Sequence, residues 1–87
     1  MGRINARLVK MYELVRPGVA LNVIVRTKGP VNYLTQLAAR AVGAGRITYT
    51  GRIDHTYTTS ATKEVANRIA ALPQTSEVFP DEPTYLA

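Results

Sequence analysis

The chain contains no cysteine and no tryptophan, and only one phenylalanine and one histidine in 87 residues. Without cysteine there is neither a disulfide framework nor thiol chemistry, and the redox compartment is left open. The single histidine, His55, beside six carboxylates gives no Ser-His-Asp or Cys-His set at readable spacing, so catalysis is not expected. Metal binding is not expected either, because one histidine with no cysteine is a poor start on a ligand set. No cofactor fingerprint is present. Gly43-Ala44-Gly45 follows a helical pattern, whereas a phosphate loop precedes one, so it reads as a C-terminal cap. No apolar run approaches the roughly 18 residues of a membrane span. Met1-Gly2-Arg3 leads into a polar and apolar periodicity and not into a signal peptide. No membrane partner is expected, and localisation is left open.

Apolar residues at 46% and charged residues at 20% are ordinary globular values, which argues for a folded domain. Its size is near that at which one core is sufficient but not generous. The formal charge of +5 fits nucleic-acid binding on one reading, and a solvated basic surface or an acidic protein partner on the other. The eleven Lys and Arg residues are scattered over every predicted element with no basic run, which favours the second. Nucleic acid is therefore an unlikely partner.

Residues 4–16 (INARLVKMYELVR) place Ile4, Leu8, Met11 and Val15 at helical spacing, closed by Pro17-Gly18. Residues 19–27 alternate as a strand does: Val19, Leu21, Val23 and Val25 point one way, and Ala20, Asn22, Ile24 and Arg26 the other. The spacing predicts a second helix over residues 31–42, with Pro30 at its first position, Leu34, Leu37, Ala38 and Ala41 inward, and Gly43 and Gly45 ending it. Residues 46–59 are rich in Thr, Tyr and Ile, and read as two short antiparallel strands with a turn near residues 51–54. His55 belongs to that strand or turn. Over residues 62–72, Val65, Ile69 and Leu72 form the inner stripe of a third helix, with Ala66 and Ala70 flanking it. Thr62 is the N-cap, Glu64 sits in the first turn, and Pro73 stops the helix. A brief strand around Glu77, Val78 and Phe79 follows. Pro80 and Pro83 exclude a regular central strand where they stand, because they donate no ladder hydrogen bond.

After the leader helix (residues 1–17) this order is βαββαβ, an α+β, ferredoxin-like body over residues 18–81, with a four-stranded antiparallel sheet and two helices on one face. Residues 82–87 form an extended C-terminal tail. Ile24 on the open face is a mild anomaly, explained either by a binding surface or by ordinary chance exposure.

The last third resembles the propeptide-type inhibitors of subtilisin-like serine proteases. In that family a helix opened by Ser/Thr and Glu is followed by a stop, then by V-x-x-V-E-P-D or a variant, then by about six residues to a cleavage point. Here Thr62-Lys63-Glu64 opens the helix, Leu72-Pro73 closes it, Val78-Phe79-Pro80-Asp81 stands for V-E-P-D, and residues 82–87 supply the six. The strand NVIVRTKG (residues 22–29) is similar too. Phe79 departs from the usual acid, and Thr75 from the usual valine. The resemblance implies an inhibitor and folding chaperone, acting in cis as a propeptide or in trans. Thr84, Tyr85, Leu86 and Ala87 would lie in the protease cleft, with Ala87 in the primary specificity pocket. Asp81, with Glu82 as a substitute for the missing acid, would cap N-termini of protease helices. Ile24 would belong to the sheet-face contact. An excised propeptide would be secreted.

A ferredoxin-like RNA-binding module is the alternative, given the basic charge and the element order. Such modules stack bases on aromatics of the central strands. Residues 53–58 (IDHTYT) lack the aromatic run, although Tyr49 and Tyr57 are available for stacking. A small interaction or ligand-sensing domain of the same fold is a third option.

Overall fold

The computed structural model of the chain describes residues 2–51 and 55–81, and of Tyr49 the backbone alone. Among the described residues five strands and three helices alternate: β1 (Arg3–Ile4), α1 (Ala6–Glu13), β2 (Leu21–Thr27), α2 (Tyr33–Ala41), β3 (Tyr49–Gly51), β4 (Thr56–Ala61), α3 (Lys63–Ala70) and β5 (Thr75–Pro80). The class is α+β. The sheet order is β1-β5-β2-β4-β3. β1 runs parallel to β5, and every other pairing is antiparallel. A mixed sheet of five strands thus replaces the expected four-stranded antiparallel one.

The extra strand comes from the segment expected to begin the leader helix. Asn5 caps α1 through its side-chain oxygen, which accepts the Arg7 N–H at 2.9 Å. An N-cap residue is not itself helical, so Ile4 falls outside the helix. Its strand is held to β5 by the Asn5 N–H, which donates to the Val78 carbonyl at 2.8 Å. The buried face of α1 is accordingly Leu8 and Tyr12, one turn apart, with Val15 packed behind them.

One face of the sheet carries the core. Val23 and Val25 of β2, Tyr57 and Ala61 of β4 and Val78 of β5 are buried against Leu8, Tyr12, Ala39, Ala66, Ile69 and Ala70 from the three helices. The alternation expected for β2 holds, and so does the stripe of α3 around Ile69. Thr62 caps α3 by accepting the Val65 N–H at 3.3 Å. β5 carries a bulge: Arg26 pairs with Glu77 but Thr27 with Thr75, leaving Ser76 as the extra residue. That extra residue lets both Thr75 and Val78 reach the core, where Thr75 is 1% exposed and Val78 fully buried.

β5 also extends through Pro80, against the expectation that proline excludes a regular central strand there. The Asp81 N–H donates to the Asn22 carbonyl at 3.1 Å, so by ladder alternation the Pro80 nitrogen points away from β2. On that side β1 reaches only as far as Val78, and no ladder bond is lost.

α2 departs most from expectation. Asn32 and Thr35 form a capping box, the Thr35 N–H reaching Asn32 Oδ1 at 3.0 Å, so the helix starts at Tyr33 and Pro30 lies before it. Ala39 is its one buried residue, while Leu34 is 72% and Leu37 41% exposed; Ala41 is exposed as well. The inward face is turned by about 100°, one residue's rotation, from that expected. The small Ala39, flanked by Val31 and Val42, lies against the core where a leucine was anticipated. Gly43 ends the helix at φ +108°, and a Cβ there would stand 3.0 Å from a Val65 methyl. The helix C-terminus thus closes tightly on α3.

The Tyr12 hydroxyl donates to the Ala61 carbonyl. Burial pushes the hydroxyls of Tyr12 and Tyr57 up from 10.0 to about 12. In the unfolded chain tyrosine ionises near 10. Between pH 10 and about 12 the unfolded chain therefore sheds protons that the folded one keeps, and stability falls as pH rises. Below that window the two tyrosines contribute no slope. Thermal melts from pH 8 to 12 should show a falling midpoint above pH 10, and the double variant Tyr12→Phe/Tyr57→Phe should flatten it. An unchanged alkaline slope in the double variant would remove these tyrosines as the cause.

Candidate functional site: the open face of the sheet

Among the described residues no helix lies over the opposite face of the sheet. Strand alternation puts Asn22, Ile24 and Arg26 of β2 there, with Thr58 and Ser60 of β4 on one side and Glu77 and Phe79 of β5 on the other. The register sets Ile24 between Thr58 and Phe79, and Arg26 between Thr56 and Glu77. Ile24 is half-buried between those neighbours. Arg26 lies over the Phe79 ring, its guanidinium carbon 5.3 Å from the centroid, within the range of a cation–π contact. The arginine therefore shields one face of an aromatic ring that would otherwise meet water.

These side chains line an open concavity of about 650 Å³ bordered by Ile24, Arg26, Thr48, Thr56, Thr58, Phe79 and Asp81. A smaller one of about 230 Å³ adjoins it, sharing Thr48, Thr58 and Asp81 and adding Asn22, Arg46, Thr59 and Ser60. The Thr48 and Thr58 hydroxyls are hydrogen-bonded at 2.7 Å between the two. The surface is thus apolar and aromatic in the middle, hydroxyl-rich on one flank, and bordered by the carboxylates of Glu77 and Asp81 and by Arg26 and Arg46. Such a mixture suits another protein's surface, with an apolar centre and a polar rim.

The chain matches no family model, no curated protein and no solved structure with which it was compared.

Of the residues singled out in the sequence as binding sites, two are on this face and the others lie beyond the described part. Ile24 is on it, at its centre. Asp81 follows β5 directly, is exposed, and borders both concavities while its N–H is held by Asn22. Glu82, Thr84, Tyr85, Leu86 and Ala87 lie outside the described residues. Of the two tyrosines available for base stacking, Tyr57 is 1% exposed on the helix side, so its ring does not face this surface. Only the backbone of Tyr49 is described. His55 occupies a turn at φ +53°, and its carbonyl accepts the Thr27 N–H at 2.8 Å and the Thr27 hydroxyl at 2.9 Å. Among the described residues, no three histidine or carboxylate side chains gather as a metal site requires.

Sequence reasoning passed over Phe79 as a constituent of the face and treated it only as a departure from an acidic pattern. A signal was available. With Val78 inward, period-two alternation turns Glu77 and Phe79 outward together.

Proposed function

We propose that the chain is a propeptide-type inhibitor and folding chaperone of a subtilisin-like serine protease. On this proposal β2 to β5 with α2 and α3 make up a ferredoxin-like βαββαβ body, to which β1 and α1 are additions. The observation that carries the proposal is the uncovered sheet face with Ile24 and Phe79 side by side at its centre. An aromatic and a branched aliphatic residue placed outward on neighbouring strands make the kind of anchor that protein interfaces bury.

Asp81 stands where the chain leaves the sheet, at the rim of that face, with its carboxylate available to N–H groups of a partner helix. The six residues beyond it span up to about 20 Å when extended, enough to run from the rim into a neighbouring cleft. There Thr84, Tyr85, Leu86 and Ala87 add a strand to the protease's own edges, with pockets taking alternate side chains. A body that binds the folded protease and not the unfolded one also stabilises it by mass action, which is the chaperone role.

The test is competitive inhibition of a subtilisin-like serine protease hydrolysing a chromogenic peptide. The 87-residue chain should inhibit, and Asp81→Ala should raise the inhibition constant about fivefold, as expected for losing a helix-capping carboxylate worth about 1 kcal/mol. Equal constants for parent and variant would remove the capping role. Absence of competition by the parent chain would defeat the proposal.

A further inference from the structure

The exposed side of α2 runs into a concavity of about 580 Å³ lined by Gln36, Arg40, Ala44, Gly45, Arg46 and Ile47. Gln36 and Arg40 are one turn apart, so both overhang the same side of the helix. Gly45 is fixed to β4 at both ends. Its N–H donates to the Ser60 carbonyl at 2.9 Å, and its carbonyl accepts the Thr59 hydroxyl at 2.9 Å. That tether holds the backbone of Arg46 at the rim.

Two arginines, Arg40 and Arg46, therefore line one cavity, and no described carboxylate lines it. Among the described residues neither side chain has a hydrogen bond or ion pair. An anion in this concavity would be attracted by both positive charges. Each guanidinium offers a planar fork of donors that matches the oxygens of a carboxylate or phosphate. The remaining lining is partly apolar: Ala44 and Ile47 pack on the edge of the core. Leu37, one turn before Arg40 on the same side, and Tyr33 before it are 41% and 73% exposed.

We propose that this concavity binds an organic oxyanion, a carboxylate or a phosphate. The anionic head lies between Arg40 and Arg46, and the hydrocarbon part lies against Ala44 and Ile47 toward Leu37. The site is separate from the proposed protease contact, since Arg40 belongs to α2 on the helix side of the sheet. Arg46 also borders the smaller sheet-face concavity beside Asp81, so Arg40 is the residue to change.

The 15N-labelled chain is titrated with acetate, hexanoate, inorganic phosphate and hexyl phosphate, with ionic strength held constant by chloride. Saturable amide shifts are expected at positions 36, 40 and 44–47. Hexanoate should bind at least about threefold more tightly than acetate, because part of its chain leaves water. Comparing hexanoate with hexyl phosphate identifies the preferred head. Arg40→Gln should weaken binding at least about tenfold, with an unchanged melting temperature and an unchanged protease inhibition constant. Shifts that fail to saturate, that are reproduced by chloride, that survive Arg40→Gln, or that show no gain from acetate to hexanoate overturn the proposal.

Discussion

Deleting residues 84–87 is expected to raise the inhibition constant against a subtilisin-like serine protease by at least about a hundredfold. Four residues added as a strand to a cleft's edges make several main-chain hydrogen bonds, each worth about 0.5–1.5 kcal/mol net. Their side chains also occupy pockets. A total of about 3–5 kcal/mol corresponds to between two and four factors of ten in affinity. The tail also binds at reduced entropic cost, because Pro80 and Pro83 fix two φ angles before docking. The fold itself should not respond, since among the described residues the last strand ends at Pro80 and the core residue closest to that end in sequence is Val78. The check pairs inhibition constants for the full and shortened chains with their melting temperatures. A constant within twofold of the parent, at equal melting temperature, would sink tail docking while leaving sheet-face binding open. Arg40→Gln should leave both measurements unaltered, which keeps the oxyanion site and the protease contact separately testable.

Local signals in the sequence were read well where one residue type had a single physical use. The alternation of Val23 and Val25, the cap at Thr62, and Gly43 after the second helix all stand in the structure as expected, because each depends on a few adjacent residues. What was misjudged depended on distant partners. Ile4 fits a helical stripe by spacing, yet Asn5 caps the helix and β5 offers an unpaired edge to which Ile4 pairs, a contact that no local window contains. Helical spacing places Leu34, Leu37, Ala38 and Ala41 inward. The core there instead takes the small Ala39, with Val31 and Val42 on either side, and hydrophobicity alone does not choose between these faces. At the candidate site, Ile24 was legible from strand parity and Asp81 from its place after Pro80. The contact of Arg26 with Phe79 was not. It joins diagonal neighbours across two strands, and the register that makes them neighbours shifts at Ser76, where nothing in the sequence marks a bulge.

A pair of substitutions, one on α3 and one on α2, gives the sharpest test of where the core lies. Ile69→Ala should destabilise the domain by about 2–5 kcal/mol, because a fully buried branched side chain is removed and its cavity only partly collapses. A domain of this length has about 4–13 kcal/mol of stability in total, so that loss is a large share of it. A loss of 1 kcal/mol moves the midpoint of a small domain by about 4–8 °C. The Ile69→Ala melting temperature should therefore fall by about 10 °C or more. Leu34→Ala should change stability by no more than about 0.5 kcal/mol, since Leu34 is 72% exposed and alanine is at least as good a helix former. Ile69 contacts the core on α3 while Leu34 faces outward on α2, so the two substitutions report on different sides of the helical layer. If α2 instead turned its leucines inward, Leu34→Ala would cost as much as Ile69→Ala. Melts of the two variants in one buffer distinguish the cases, and comparable losses would mean that the outward face assigned to α2, and with it the apolar border of the oxyanion site, is wrong.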